Sequence, residues 1–219
     1  VQPSAALDAY IPVDPFGGAA FAGDYFEIAR KAEADLRATV EDRLGKEGLP
    51  WDWHCHVASP SRVLISHSWL SDLVVVSAPP GNWAARLGTP PIAAEVVTRT
   101  PVPTLVVPEE ATGFAVDGHA VVAWNGSPES CQAVRAALPL LKRASAVSLV
   151  CVETAEKDRL PPLQAAVFLS RHGVSAEVIP LEARGRSVAE VLRDAAEDRH
   201  AAYMVMGAYG HSRWQESLL

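Results

Sequence analysis

The spacing of hydrophobic and polar positions is most legible from Ala120 onward. Ala120–Trp124 is a short apolar run, and Asn125-Gly126-Ser127-Pro128 follows as a turn, with Ser127 placed as an N-cap and Pro128 at the first helical position. Asn-Gly between apolar stretches also suits a two-residue hairpin, but Cys131, Val134, Leu138 and Leu141 then recur at helical spacing, which favours strand-turn-helix. Pro139 is expected to kink or shorten that helix. Val147–Val152 is short and valine-rich and reads as a buried strand. A helix-like stretch around Leu163–Arg171 closes at His172-Gly173, where glycine suits the left-handed position after a helix. Val174, Ala176 and Val178 alternate as in a strand. Ser187-Val188-Ala189-Glu190 has capping-box spacing and opens a helix with Val188, Val191, Leu192 and Ala195 on one face. Ala202–Met206 is the next strand, ending at Gly207. The order β-α-β-α-β-α-β predicts a parallel, doubly wound α/β sheet with right-handed crossovers, in which Val121–Trp124, Val147–Val152 and Ala202–Met206 are buried central strands.

The first half repeats part of this order. Asp24-x-x-Glu27 has the spacing to cap a helix whose Ala29, Ala32, Leu36, Val40 and Leu44 form an apolar stripe, and Gly48 ends it. Trp51–Val57 reads as a strand, Ser61–Trp69 as a helix, Leu73–Val76 as a buried central strand, Ala84–Val97 as a helix and Thr104–Val107 as a strand. The segment from Leu73 to Ser77 matches the segment from Tyr203 to Gly207, 130 residues further on, so two similar modules are expected: residues 1–110 and 118–219, joined near Thr112 by a linker over Val107–Asp117 that contains Pro108 and Gly113. The stretch Pro101–Val107 reads as an edge strand, since proline is confined to strand starts and edges.

Composition narrows the function. Over 219 residues, 19 Lys and Arg face 26 Asp and Glu, a formal charge of −7 that argues against nucleic acid as a partner. No apolar run approaches the roughly 18 residues of a membrane-spanning helix, so no membrane partner is expected. Three cysteines, Cys55, Cys131 and Cys151, without C-x-x-C spacing speak against a disulfide framework or a four-cysteine zinc site and suggest a reducing, cytoplasmic setting. Val1 stands where a translated chain would carry Met, so the start shown is not expected to be the translation start.

The most informative stretch is Gly207-Ala208-Tyr209-Gly210-His211-Ser212-Arg213, set between a buried strand and the amphipathic segment Trp214–Leu218. Glycines at such a turn let backbone N–H groups approach an anion, and a helix N-terminus adds partial positive charge; glycines there also often serve only a positive φ. With Val122–Ser127 and the module order, this stretch resembles the universal stress protein family in its tandem form. The family signature is a glycine, two residues, a second glycine, nine residues, and a glycine followed by Ser or Thr. Gly207 and Gly210 match the first two, and residues 211–219 are the nine spacers. The resemblance is strong from Ala120 and weaker before it.

The resemblance implies two Rossmann-like modules with mostly parallel five-stranded sheets, each incomplete in this chain: a first β-α-β unit is missing before Val1 and a last helix and strand after Leu219. It also implies an adenine nucleotide (ATP, ADP or AMP, with Mg²⁺ where phosphates are present) at the strand C-termini of the second module. Asn125 stands where the family carries an Asp that meets the nucleoside; it keeps hydrogen-bonding capacity without charge. Val152 would lie by the adenine with Ala123 beside it, Met206 and Gly207 under the nucleoside, and Gly210, His211 and Ser212 at the phosphates. In the first module Ser77-Ala78-Pro79-Pro80 replaces the glycines, and prolines remove backbone donors, so no nucleotide is expected there. Family members pair their last strands, which implies a homodimer or pairing of the two modules within the chain.

Other candidates are weaker. In a strand, His54 and His56 would share a face opposite Cys55 and, with His67, could begin a metal site; polar residues on a solvated face or module interface are the better expectation, with no metal. Arg184, Arg186 and Arg213 could steer an anion, but loop arginines are usually solvated. Asn125-Gly126-Ser127 matches a glycosylation sequon, which Pro128 and a buried turn argue against. No G-x-x-x-x-G-K-[ST], H-E-x-x-H or G-x-S-x-G occurs, so no catalytic residue is assigned and any ATP hydrolysis would be slow and incidental. Three readings stand: a nucleotide-sensing stress protein, a ligand-free scaffold of the same fold and, last, a nucleotide-dependent transferase or hydrolase.

Overall fold

A computed structural model describes residues 18–48, 50–56, 58–78, 92–108, 111–153 and 159–208. The chain falls into two compact units, Val1–Val74 and Val75–Leu219. This division differs from the sequence boundary near Thr112, because the strands and helix read as the end of the first module group with the downstream chain.

In the first unit, α1 (Gly18–Glu47) runs through Asp24, so the expected cap at Asp24-x-x-Glu27 is not its start. Gly48 follows with φ +65, a conformation that costs glycine little. The expected apolar stripe is not a buried one: Leu36 is 42% exposed, Ala32 is exposed, and Val40 and Leu44 are half-buried. Residues 51–56 form no strand, contrary to expectation. Alternation would set Trp51, Trp53 and Cys55 against Asp52, His54 and His56, with no aliphatic side chain on either face, and no neighbouring strand is described in this unit to take up the backbone groups. The segment is instead tied to α1, where Trp53 Nε1 donates to Glu33 Oε1 at 2.6 Å. Helix α2 (Pro60–Ser68) carries Pro60 in its first turn and buries Val63.

β1 (Val74–Ala78) and β2 (Thr104–Pro108) form a two-stranded sheet, with α3 (Ile92–Arg99) between them in sequence. The buried central strand expected at Leu73–Val76 is corrected. Leu73 lies before the strand, Val75 is 57% exposed and only Val74 and Val76 are buried, the alternation of a strand with one covered face. Of the helix expected over Ala84–Val97, the described part is α3.

The second sheet contains β3 (His119–Ala123), β4 (Ala146–Glu153), β5 (Ala176–Glu182) and β6 (Tyr203–Met206) in the order β5-β4-β3-β6, all parallel. These are four of the five strands expected. Ala123 sits opposite both Val150 and Met206. Side chains alternate to two faces. Ala120, Val122, Trp124, Val147, Leu149, Tyr203 and Val205 pack with α4 (Pro128–Leu141) and α5 (Pro162–Arg171); Val121, Val150, Ile179 and Met204 pack with α6 (Val188–Asp198). The result is helix, sheet, helix, with β3 and β4 the most deeply buried strands. β6 was expected to be a buried central strand; among the described residues it is the sheet's edge and only half-buried.

The helix ends follow the local sequence. Ser127 Oγ accepts the Ser130 N–H at 3.2 Å to start α4. Pro139 does not end that helix: α4 continues to Leu141. So near the C-terminus a proline forfeits one intrahelical bond, and few turns remain for it to disrupt. Gly173 (φ +81) closes α5. At α6, Ser187 Oγ accepts from Glu190 N at 3.2 Å while Glu190 Oε2 accepts from Ser187 N at 2.8 Å, the reciprocal pair foreseen. No described helix is long and apolar enough to cross a membrane.

Candidate functional site

The candidate site lies at the carboxyl ends of β3, β4 and β6. After β3 the chain turns into α4 and leads to β4 on one side; β6 lies on the other side of β3. The strand order therefore reverses at β3, and open α/β sheets place ligands in the crevice at such a reversal. Because Ala123 pairs with Met206, the residues leaving the two strands, Asn125 and Gly207, emerge at the same edge. β4 extends past the end of β3, so Val152 follows two positions beyond the pair formed by Val150 and Ala123. Ala123 and Val152 belong to the same apolar cluster on the α6 face.

Five of the eight expected residues, Ala123, Asn125, Val152, Met206 and Gly207, are thus brought to one end of the sheet. Gly210, His211 and Ser212 lie outside the described residues. Asn125 is half-buried, and its Oδ1 accepts the Ser127 N–H at 3.1 Å, so the side chain shapes the turn. Gly207 has a reason to be glycine that does not involve a ligand. A Cβ there would meet Ser130 N at 2.6 Å and Glu129 C at 2.7 Å, backbone of the first turn of α4, and Gly207 has no positive φ. The end of β6 and the start of α4 are in close approach.

Two further residues define the turn. Gly126 has φ +72, and a Cβ on it would strike Leu160, whose nitrogen lies 2.6 Å away. Leu160 N donates to Gly126 O at 3.2 Å, and buried Trp124 donates from Nε1 to Leu160 O at 3.0 Å. The chain entering α5 is thereby clamped over the β3–α4 turn. The Asn-Gly pair signals this turn in the sequence, but nothing foreshadows Leu160, 36 residues away.

Two of the arginines singled out in the sequence are engaged. Arg186 is paired with Asp194, which raises its pKa, and Arg184 Nε donates to Glu182 at 3.2 Å, so both arginines weighed as anion steers carry carboxylate partners. Arg213 lies outside the described residues. Burial pushes the Cys151 thiol up to about 11, which keeps it protonated and unsuited to nucleophilic attack.

A parallel sheet with helices on both faces and a reversal point open at its carboxyl edge makes the second unit a doubly wound α/β module. A solved universal stress protein from Archaeoglobus fulgidus DSM 4304 superposes on 86% of this chain and 69% of its own, with 14% identity and a TM-score of 0.66. The chain therefore has a universal stress protein fold. A protein of the universal stress protein family from Burkholderia pseudomallei matches 43% of this chain and 84% of its own at 25% identity and a TM-score of 0.33. A protein from Mycobacterium tuberculosis H37Rv matches 46% of this chain and 78% of its own at 21% identity and a TM-score of 0.34. Those two scores are too low to carry weight. No protein-family model and no curated protein matches the chain.

Proposed function

We propose that the chain is a stress-response protein of the universal stress protein family that binds an adenine nucleotide at the carboxyl edge of its second sheet. Binding would change its association with partner chains. The observation that carries this reading is the strand reversal at β3, which gathers Ala123, Asn125, Val152, Met206 and Gly207 at one edge. Ala123, Val152 and Met206 offer an apolar bed for a purine, and the Asn125 amide Nδ2 offers a donor for a ribose or base acceptor. Gly210, His211 and Ser212 are assigned to the phosphates on the family pattern.

A second reading, a scaffold of the same fold without ligand, is favoured by the two engaged groups: Asn125 Oδ1 is committed to Ser127, and Gly207 is explained by the approach of α4. Isothermal titration with ATP, ADP and AMP, each with Mg²⁺, separates the two. The nucleotide reading expects saturable heat that Gly210→Val abolishes, that Asn125→Asp alters modestly and that changes at Ser77 or Pro80 leave alone. No heat with any of the three leaves the scaffold.

A further inference from the structure

The β3–α4 turn holds the one Asn-Gly pair of the chain, Asn125-Gly126; the other asparagine, Asn82, precedes Trp83. An asparagine side-chain amide is open to attack by the backbone nitrogen of the next residue, and glycine puts no Cβ beside that nitrogen. Three features of the turn suit the reaction. Among the described residues nothing accepts the Gly126 N–H, so the nitrogen is not held in a ladder or a cap. Asn125 Oδ1 accepts the Ser127 N–H at 3.1 Å, a bond that polarises the amide carbonyl and stabilises the oxyanion formed on attack. Asn125 is half-buried, so part of it is open to water.

Two features restrain it. Gly126 is buried at φ +72, and its carbonyl accepts the Leu160 N–H at 3.2 Å. The indole of Trp124 donates to Leu160 O at 3.0 Å, so the residues on either side of Asn125 are tied to one strap. Closing a five-membered ring between Gly126 N and Asn125 Cγ requires the Asn125–Gly126 peptide to rotate, and the strap holds its far end.

We propose that Asn125-Gly126 is a deamidation site whose rate is set by the Leu160 strap, and that the isoaspartyl product releases the strap. Gly126 N gives its proton to water and bonds to Asn125 Cγ; the C=O electron pair moves to Oδ1 and returns as Nδ2 leaves with a proton, as ammonia. The succinimide then takes up one water. Addition at Cγ breaks the new bond and gives aspartate; addition at the main-chain carbonyl breaks the original peptide bond and leaves the chain running through Cγ, as isoaspartate. The sum is one amide and one water converted to one carboxylate and one ammonium ion, without oxidation or reduction. Isoaspartate lengthens the main chain by one carbon ahead of Gly126. That glycine has no room to move toward Leu160, whose nitrogen lies 2.6 Å from the position of an added Cβ, so the bonds to Leu160 must break. The turn at the candidate site is then a slow, one-way switch, independent of which ligand the site holds.

The test is incubation of the 219-residue chain at neutral pH, folded and in urea, with mass spectrometry of the peptide containing position 125 and isoaspartyl methyltransferase labelling. Aspartate and isoaspartate are expected at position 125 and not at position 82, forming at least roughly tenfold more slowly in the folded chain. Trp124→Phe removes one of the two bonds to the strap and should speed the folded reaction roughly fivefold while leaving the rate in urea unchanged. In the isoaspartyl fraction, amide exchange at Leu160 should quicken. Should Trp124→Phe fail to fold, low urea concentrations decide on the unmodified chain: deamidation must accelerate in step with exchange at the Leu160 amide. The proposal is overturned if position 125 stays an asparagine while the unfolded chain converts, if folded and unfolded rates agree, if release of the strap leaves the rate unchanged, or if Leu160 keeps its protection in the isoaspartyl fraction.

Discussion

Gly207→Ala tests whether the end of β6 is fixed by packing. The added methyl would lie 2.6 Å from Ser130 N, 2.7 Å from Glu129 C and 3.0 Å from Glu129 Cβ. Two of these are backbone atoms in the first turn of α4, so no rotamer change relieves the contact. The helix itself must shift, against Val134 and Leu141 seated in the core at 2% and 1% exposure. Because Gly207 has no positive φ, backbone strain adds nothing and the cost is steric alone. Overpacking of this kind costs about 1–3 kcal/mol, and an unyielding backbone neighbour puts it near the upper end. With a urea m-value of about 2 kcal/mol/M, about 3 kcal/mol lowers the unfolding midpoint by roughly 1.5 M, read by far-UV circular dichroism. A midpoint within roughly 0.2 M of the parent would refute the close-approach argument and return Gly207 to a purely ligand-facing role. The consequence for binding assays is direct: loss of nucleotide binding in Gly207→Ala is expected from the displaced helix, so Gly210→Val is the informative variant.

Gly126→Ala combines a left-handed φ with a collision against the Leu160 backbone and is expected to cost about 3 kcal/mol or more, measured by the same denaturation. Trp124→Phe keeps an aromatic ring but removes the bond to Leu160 O and part of the buried indole; about 2 kcal/mol is expected, with faster amide hydrogen exchange at Leu160 and none of that change at Val121. The Glu190 carboxyl is held below the usual glutamate range, first by its hydrogen bond from the Ser187 side chain. A depressed folded pKa gives stability that is present above the unfolded value and lost as pH falls through the folded one, so protection of the Glu190 amide, measured against the free chain at the same pH, should fall as pH drops below the usual glutamate range. In Ser187→Ala that acid-induced change should be much reduced.

Elements were legible where local chemistry and packing agreed. Ser127-Pro128 starts α4, the Ser187–Glu190 box starts α6, and Gly173 ends α5; each is a short-range bond or backbone preference written in adjacent residues. The 51–56 segment forms no strand because no aliphatic side chain of its own faces a core and no described strand of its unit pairs with it. Leu73–Val76 failed differently. A run of valines looks the same whether one face or both are covered, and exposure of Val75 shows that only one is. At the site, the repeated β-α pattern pointed to a parallel sheet, whereas the meeting of Asn125 and Gly207 at one end of it was implied by the family resemblance alone. The Leu160 clamp and the approach of α4 to Gly207 are contacts between distant segments, for which no sequence spacing is diagnostic. His54, His56 and His67 lie between: all three are visible in the sequence, but the approach of their rings, with centroids 4.8 to 6.3 Å apart, depends on a segment that is not a strand.

The start of α4 bears on where an anion could sit. A helix N-terminus following a strand usually offers unsatisfied N–H groups to phosphate. Here the Ser127 N–H is given to Asn125 Oδ1, the Ser130 N–H to Ser127 Oγ, and Pro128 has none to give. Glu129 adds a carboxylate in the same turn. The β3–α4 turn is therefore suited to the uncharged part of a nucleotide and poorly suited to its phosphates. Under the proposed function the phosphates fall to the glycine stretch after β6, and the two ends of the ligand are held by separate segments. On that proposal, Asn125, standing where the family resemblance implies an Asp, would alter the nucleoside end alone.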